Sequence, residues 1–439
     1  MIHYLKIANF GPIAREVEIN FEVTDKQDDA YEVVMPDGRR LLKLIYIYGA
    51  NASGKTTILK AFDFLRVLFL KPLVNKSRAL EYEPFLFSEL SGQPTSMDLS
   101  FYCEGVRYVY EIHFDRERII FERLSHFQSA KPSRVFARET HSDNRVSYIQ
   151  FGNMIKVPAR EKDLLESNTL HNNTVFGAFA KTNVNIPELE KLNKWFFSFL
   201  IPLITAKDDL SERTARLMSD NLDATKWITE LLHKADPHVS GVELGEFEAI
   251  IDDLSKDLMD QAKYRIDQGI ATASDKGINS GSFMPGFSYE RRIELVHQIG
   301  ADQSFKISLR KESSGTQRYF GLAGLFYLLV HEGHLLCIDE LESSLHPDLM
   351  KFFLQLFLIN SSQSQLLMTT HNLTLLENAD FVRRDALWFS EKNDQGATEL
   401  FSAADFDSTV LRKDASISSA YRTGRLGAKP NLGSPFIVH

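Results

Sequence analysis

The chain has 439 residues, 44% of them hydrophobic, and a formal net charge of −9. That length suits two or three domains with ample cores, and an acidic balance with pI near 5.9 argues against a chain that coats nucleic acid non-specifically. Cys103 and Cys337 are its two cysteines, so a disulfide framework is excluded and a reducing cytoplasm fits.

Residues 1–48 alternate as strands do: Ile2, Tyr4, Leu5 and Ile7, then Val17, Ile19 and Phe21, then Val33 and Val34, with Pro36-Asp37-Gly38 as a hairpin turn. Lys6 sits inside this pattern, where a leader would show a basic and then an apolar stretch. Leu44 to Tyr48 reads as a buried strand, and Thr57 to Leu70 as a helix with Leu59, Phe62, Leu65, Leu68 and Phe69 inward. Alternating runs at Met97–Tyr102, Val106–Phe114, Arg118–Leu124 and Val146–Phe151 predict short antiparallel strands. From Pro187 the period turns helical, through Leu189, Leu192, Trp195, Phe196 and Leu200, then Trp227, Ile228 and Leu231, then Phe247, Ile250, Ile251, Leu254 and Leu258. Residues 185–268 are therefore predicted to be a helical insertion, too irregular for a long coiled coil. A Ser/Gly-rich stretch from Ala271 to Gly286 leads to strands at Glu290–Gln298 and Phe305–Leu309. The apolar runs Leu335 to Ile338 and Gln365 to Thr370 complete the pattern, and with Leu44 to Tyr48 they are predicted to share one mainly parallel core sheet. The apolar stretches 195–204 and 321–338 are interrupted, the first by Pro202 and the second by His331, Glu332 and His334. Neither reaches the ~20 residues of a membrane span. A soluble cytoplasmic protein with no membrane partner is expected.

The stretch Gly49-Ala50-Asn51-Ala52-Ser53-Gly54-Lys55-Thr56 matches G-x-x-x-x-G-K-[ST]. It lies between a strand and a helix, the context in which such a loop holds nucleotide phosphates rather than merely turning the chain. Gly49 and Gly54 would let the backbone turn so that N–H groups face phosphate oxygens, and the helix start, including Thr57, adds its partial positive charge. Lys55 would reach the β- and γ-phosphates, and Thr56 would offer its hydroxyl to Mg²⁺. Downstream, the strand Leu335 to Ile338 ends in Asp339-Glu340. Asp339 would hold Mg²⁺ through water, and Glu340 would polarise an attacking water. Ser313-Ser314-Gly315-Thr316-Gln317 heads a helix, Ser343-Ser344-Leu345-His346 follows the carboxylates, and the strand at Gln365 ends on His371.

In this order the motifs resemble the ATPase head of the ABC class, which includes SMC-type and RecF-type heads and transporter subunits. The resemblance implies an α/β P-loop NTPase of ABC-ATPase-head type: a mainly parallel core sheet, an antiparallel β-rich subdomain and a helical insertion. It implies ATP and Mg²⁺ as ligands, with two subunits sandwiching two ATPs. Ser313 to Gln317 would then act in trans, Ser314 and Gly315 facing the γ-phosphate held by the partner. His371 would sense that phosphate, and Ser343, Ser344, Leu345 and His346 would form the turn that crosses between the sites. Thr316 stands where the signature's second glycine is usual, and His346 where the turn's Asp is usual. A glutamine between the first lobe's strands that would complete the Mg²⁺ shell is not identified by any motif, and Gln93 has only its place in the chain to recommend it. More narrowly, the start Met1 to Pro12 resembles the opening strand of RecF and OLD-like heads, while Glu312 to Thr316, Asp339 to Pro347, Thr370-His-Asn and the ending Tyr421-Arg-Thr-Gly-Arg-Leu-Gly-Ala-Lys-Pro resemble the stand-alone AAA family ATPases of bacterial abortive-infection operons, the RloA/AbiL-like group. Members of that group are encoded beside a separate effector.

Other candidates read as structural. His331-Glu332-Gly333-His334 lacks further metal ligands, and His233 and His238 flank an Asp-Pro turn. Most of the 32 phenylalanines fall on inner faces. Arg134, Arg138, Arg145 and the Arg291-Arg292 pair suit edge-strand charges better than phosphate contacts. The tail Thr423–Pro435 reads as a surface loop or an effector-docking segment. The expected domains are 1–184 with the phosphate loop, 185–289 as insertion and linker, and 290–439 with the signature, carboxylates and tail. The expected function is a nucleotide-driven ATPase switch in phage defence, acting on itself as a dimer or larger assembly and on an effector. Nucleic acid stays open as a partner, and a RecF/SMC-like repair ATPase is the alternative. A transporter subunit fits less well with so strand-rich a first lobe.

Overall fold

The first 208 residues belong to one compact unit and open on alternating strands. The computed structural model describes residues 1–24, 30–87, 92–129, 131–141, 143, 145–251, 287–300, 303–378, 381, 383–407 and 416–429. β1 (Ile2–Ala8) buries Ile2, Leu5 and Ile7 and pairs with β2 (Val17–Asn20). β3 (Glu32–Val34) and β4 (Arg40–Leu42) form a hairpin at the expected turn, where Gly38 has φ of 86°. β5 (Leu44–Gly49) is buried throughout and leads into α1 (Lys55–Leu70), whose five predicted inward residues are all buried. β6 (Thr95–Cys103), β7 (Val106–Phe114), β8 (Ile119–Phe127), β9 (Ser133–Thr140) and β10 (Ser147–Phe151) follow. They join β1 and β2 in an antiparallel seven-stranded sheet ordered β10-β9-β8-β7-β6-β1-β2. α2 (Ala159–Asn168), α3 (Val175–Phe179) and α4 (Pro187–Phe199) follow. Phe69 of α1 packs against Tyr110, Phe176 and Phe196 at 5.0, 5.5 and 4.2 Å between ring centres, joining α1, β7, α3 and α4 in one aromatic core.

β9 has no counterpart in the predicted strands, because a charge occupies its core face. Arg138 is fully buried there, beside Phe136 and Thr140. Its guanidinium donates to Ser147 Oγ at 2.8 Å and to the Leu170 and His171 carbonyls at 3.3 Å, and lies 3.8 Å from Glu122. Glu122 accepts in turn from Tyr110 OH at 2.8 Å and from Val175 N–H at 3.0 Å. Arg138 is thus an interior cross-brace, not the edge charge its sequence context suggests.

A second compact unit spans Asp209–Tyr327. It holds α5 (Ser211–Asp220), α6 (Leu222–Ala235), β11 (Val239–Ile251), β12 (Phe287–Ile299), β13 (Gln303–Ser308) and the first part of α7 (Ser314–His331). α7 lies so close to the start of α5 that a Cβ on Gly321 would come within 2.7 Å of Leu210, and Thr214 Oγ1 donates to Gly321 O at 2.9 Å. Residues 239–251 are a strand where helical spacing was expected. β11 pairs antiparallel with β12 but shifts register between Val239 and Gly241 and between Leu244 and Phe247. Such shifts break strict alternation, so the apolar spacing imitates a helix. Leu254, Leu258 and the Ser/Gly-rich stretch lie outside the described residues.

Returning to the first unit, the chain forms β14 (Leu335–Ile338), α8 (Pro347–Asn360), β15 (Gln365–Thr369), α9 (Thr374–Glu377), β16 (Leu387–Lys392), β17 (Thr398–Ser402) and α10 (Ile417–Arg422). The order of the core sheet is β14-β15-β5-β16-β17, with β17 alone antiparallel. β5, β14 and β15 are buried at every position, as a covered parallel sheet requires. Their carboxyl ends meet at one edge. Among the described residues no helix is long and apolar enough to cross a membrane. Replacing Arg138 by Met should destabilise the fold by about 3–5 kcal/mol, because Glu122 is left as an uncompensated buried charge. Denaturant unfolding within 1 kcal/mol of the parent, on the order of ordinary surface changes, would refute the brace.

Candidate functional site

The loop after β5 is shaped by what lies behind it. A Cβ on Gly49 would sit 2.3 Å from Ser390 O, so close approach, rather than the turn the sequence suggested, demands glycine there. Gly54 has φ of 106°, and a Cβ would meet Thr398 Oγ1 at 2.2 Å, so it answers both demands. Ala52 is left-handed as well, with φ of 62°. Ser390 Oγ and Thr398 Oγ1, from β16 and β17, donate to Ser53 O at 3.0 and 2.8 Å and pin the loop from beneath. The Ser53 hydroxyl itself is buried and has no hydrogen-bond partner among the described residues. Asn51 and Ala52 are exposed, and Thr57 is half-buried against Gly11. Lys55 Nζ donates to Gly49 O and Ala50 O, both at 2.9 Å. Burial pushes the Lys55 ammonium below the usual lysine range, while Asp339, Glu340 and Glu342 oppose that shift.

Across the sheet edge, Asp339 collects hydroxyls from two other segments. Thr56 Oγ1 lies 2.9 Å from Oδ2 and 3.1 Å from Oδ1, and Thr369 Oγ1 donates to Oδ1 at 2.6 Å. Thr369 Oγ1 also accepts the Glu340 N–H at 2.9 Å. Glu340 itself is exposed and takes φ of 54°. Two residues on, Glu342 Oε1 accepts the His371 N–H at 2.6 Å, while Oε2 is buried without a hydrogen-bond partner among the described residues. His371 follows Thr370, whose N–H donates to Ile47 O at 3.2 Å, and precedes Asn372, whose carbonyl accepts from Tyr48 OH at 2.9 Å. Burial, and secondarily Lys55, lower the His371 pKa against the opposing pull of Glu342, Glu340 and Asp339.

The turn that follows is built from Ser343, Ser344 (φ of 62°), buried Leu345 and exposed His346. His346 Nδ1 accepts the Asp348 N–H at 3.2 Å and so caps α8, with Pro347 in the first turn. This is the capping task an Asp performs, which accounts for histidine at that position. Ser313 to Gln317 lie in the second unit at the head of α7, where Ser313 and Ser314 are exposed. Ser313 Oγ accepts the Thr316 N–H at 3.1 Å and meets Thr316 Oγ1 at 2.9 Å, and Gln317 Nε2 donates to Glu312 O at 2.8 Å. The backbone N–H that Ser313 caps would be present in glycine too, so what threonine adds at 316 is its hydroxyl, set against Ser313 Oγ.

Lys55, Thr56, Asp339, Glu340 and His371 come together around one edge. Gln93 is exposed, and its carbonyl accepts from Asn9 at 2.7 Å. His334 is a core residue bonded to Ser198 O at 2.7 Å and Glu332 at 2.9 Å. Sequence reasoning missed Thr369, Glu342, Ser390, Thr398 and Tyr48. Thr369 and Glu342 lay inside strings already singled out, whereas Ser390 and Thr398 carry no local signal at all.

A loop of this shape on the central strand of a parallel sheet, with the aspartate and histidine strands alongside and an antiparallel sheet from the amino-terminal part, defines a P-loop NTPase of ABC-ATPase-head type. The profile of the family described as "AAA domain, putative AbiEii toxin, Type IV TA system" matches residues 44–377. The chain belongs to that family of AAA-domain proteins. No curated protein matches its sequence. Among solved structures it is similar to an SMC head bound to the C-winged helix domain of ScpA, with a TM-score of 0.44 and 13% identity over 91% of this chain and 97% of the other. It is also similar to the SMC head domain from Thermotoga maritima, with a TM-score of 0.40 and 15% identity over 91% and 98%. A third is an Smc head with an extended coiled coil bound to the C-terminal domain of ScpA derived from Pyrococcus furiosus, with a TM-score of 0.39 and 13% identity over 96% and 98%. Replacing Thr369 by Val strips one hydrogen bond from Asp339 and the acceptor from Glu340 N–H. It should cost about 1–3 kcal/mol of stability by denaturant unfolding, and an unchanged midpoint would show the contacts to be idle.

Proposed function

We propose that the chain binds ATP with Mg²⁺ and hydrolyses it, acting as the nucleotide-driven switch of an anti-phage, abortive-infection system paired with a separate effector. The single observation that carries the ATPase reading is the meeting of Lys55, Thr56 and Asp339 at one sheet edge. The residues suit the ligands. The buried Ser53 hydroxyl lacks a partner among the described residues, as a group awaiting a phosphate oxygen would. Thr56 and Asp339 offer hard oxygen donors of the kind Mg²⁺ takes. When bound, that ion would neutralise charge on the phosphates. Lys55 would exchange two backbone carbonyls for phosphate oxygens. Glu340, exposed beside Asp339, would accept the proton of the attacking water. His371, its pKa lowered, would be neutral and able to donate to a γ-phosphate oxygen. Ser313 to Gln317 and Ser343 to His346 would complete the site of a second copy of the chain. The defence role is supported by the family description and by the ending Tyr421 to Pro430.

Two substitutions separate binding from chemistry. Lys55→Ala should weaken ATP by at least tenfold, about 1.4 kcal/mol, whereas Glu340→Gln should keep affinity and lose roughly 10²-fold or more in turnover. Equal calorimetric affinity for Lys55→Ala, or parent-rate hydrolysis by Glu340→Gln, would overturn the respective role.

Shared sites are testable by mixing. Lys55→Ala retains its own signature, and Ser314→Arg retains its own phosphate loop, so each alone should be nearly inactive. Together they can build one intact site per pair, and partial recovery of ATP hydrolysis is expected. Normal hydrolysis by Ser314→Arg alone would end the trans-acting reading.

A further inference from the structure

The segment Tyr421 to Lys429 is folded against strands β5 and β16 of the core sheet. Tyr421 is buried, stacks on Phe389 with ring centres 5.7 Å apart, and meets Tyr48 edge-on at 6.0 Å. Its hydroxyl donates to Ala428 O at 3.2 Å, closing a loop in which Gly424, Gly427 and Ala428 all have positive φ. Glu391 of β16 accepts the Ala428 N–H at 2.8 Å, and a Cβ on Gly427 would come within 2.4 Å of the same carboxylate. The two glycines and Ala428 therefore serve one shape, which holds Tyr421 against the sheet.

Two routes lead from this segment to the histidine. Tyr48, which Tyr421 supports, donates to Asn372 O, one residue beyond His371. Arg422 forms an ion pair with Glu377, in the short helix that starts three residues after His371. Glu342 in addition holds the His371 N–H. The His371 loop is thus held by several contacts, and one of them, Arg422 with Glu377, belongs to the chain's last described segment.

We propose that Tyr421 and Arg422 are positioning residues that hold the His371 loop in place, through Tyr48 and through Glu377. The proposal rests on the hydrolytic reading above for its effect on turnover. It does not rest on that reading for its effect on the loop. Both predicted effects follow from geometry: a loop whose supports are removed samples more conformations, and a misplaced γ-phosphate contact slows chemistry more than it weakens nucleotide binding.

The test uses the full chain. Tyr421→Ala removes the stack and Arg422→Glu places like charges on α9 and α10, while Tyr421→Phe keeps the ring. Because Arg422 and Glu377 are exposed, their variants should fold even if Tyr421→Ala does not. In the nucleotide-free chain, amide hydrogen exchange across 370–377 should quicken by about threefold or more in Tyr421→Ala and Arg422→Glu, and stay near the parent in Tyr421→Phe. With ATP, kcat should fall about fivefold while the calorimetric Kd stays within about twofold. Adding Glu377→Arg to Arg422→Glu should restore both exchange and kcat. Unchanged exchange across 370–377, a Kd that worsens as much as kcat falls, or failure of the charge swap to rescue would each overturn the proposal. If the parent chain hydrolyses no ATP, the proposed function falls, and the exchange data on the free chain still decide this inference.

Discussion

The contact on which the rest depends is the one between the Asp339 carboxylate and the Thr56 hydroxyl, which ties segments 283 residues apart. It forms only if β14, β15 and β5 end at a common edge in one register. A slip by one residue would turn every side chain of a strand to the other face. The register is guarded from the far end, where Gln365 is fully buried. Its amide donates to Ile2 O at 2.8 Å and to Leu42 O at 3.1 Å, locking the start of β15 to β1 and β4. A polar side chain in an otherwise apolar sheet is tolerable because it is satisfied, and its bonds hold in only one alignment. The hydrophobic content makes the sheet stable, and Gln365 and Asp339 make it single-valued.

The electrostatics follow from the same convergence. Three carboxylates, Asp339, Glu340 and Glu342, face one ammonium, Lys55, which burial already disfavours as a charge. A site so composed gains little from a bare polyanion. It is suited to a polyphosphate that arrives with a divalent cation, since the pair brings charge of both signs to groups already in place. The Lys55 ammonium meanwhile is kept by the carbonyls of Gly49 and Ala50, neutral acceptors that it can leave at small cost. The proposed role of this lysine therefore depends on the backbone around it being weaker as a partner than phosphate oxygen.

Much of the arrangement was legible in the sequence because its determinants are local. A glycine-lysine loop between a continuous apolar run and a helical period, or two carboxylates closing a strand, can be read within a dozen residues. β9 was hidden because Arg138 stands where alternation calls for an apolar residue, and its partner Glu122 comes from another strand. β11 was mistaken because its register shifts spoil the period. Ser390 and Thr398 were invisible for a third reason. Their task is to support Ser53 O from strands more than 330 residues away, and nothing near a serine in a strand announces what packs over it. The signature residues Ser313 to Gln317 were found as a string, and the structure adds what threonine does at 316: its hydroxyl meets Ser313 Oγ at the head of α7.

Adjacent carboxylates with different tasks need a device to separate them, and the backbone supplies it. Among the described residues, Ala52, Glu340 and Ser344 are non-glycine positions with positive φ that lie in or beside the site. Each costs on the order of 1–3 kcal/mol and persists only where surroundings over-determine it. At Glu340 the surroundings are explicit: Thr369 Oγ1 takes its N–H, and its carbonyl accepts from Ser343 N–H at 2.9 Å. The left-handed turn ends β14 at that point. Asp339 is left half-buried under two hydroxyls, while Glu340 is exposed. The strain at residue 340 is therefore the physical means by which one carboxylate is tied into the hydroxyl network and its neighbour is left open to water.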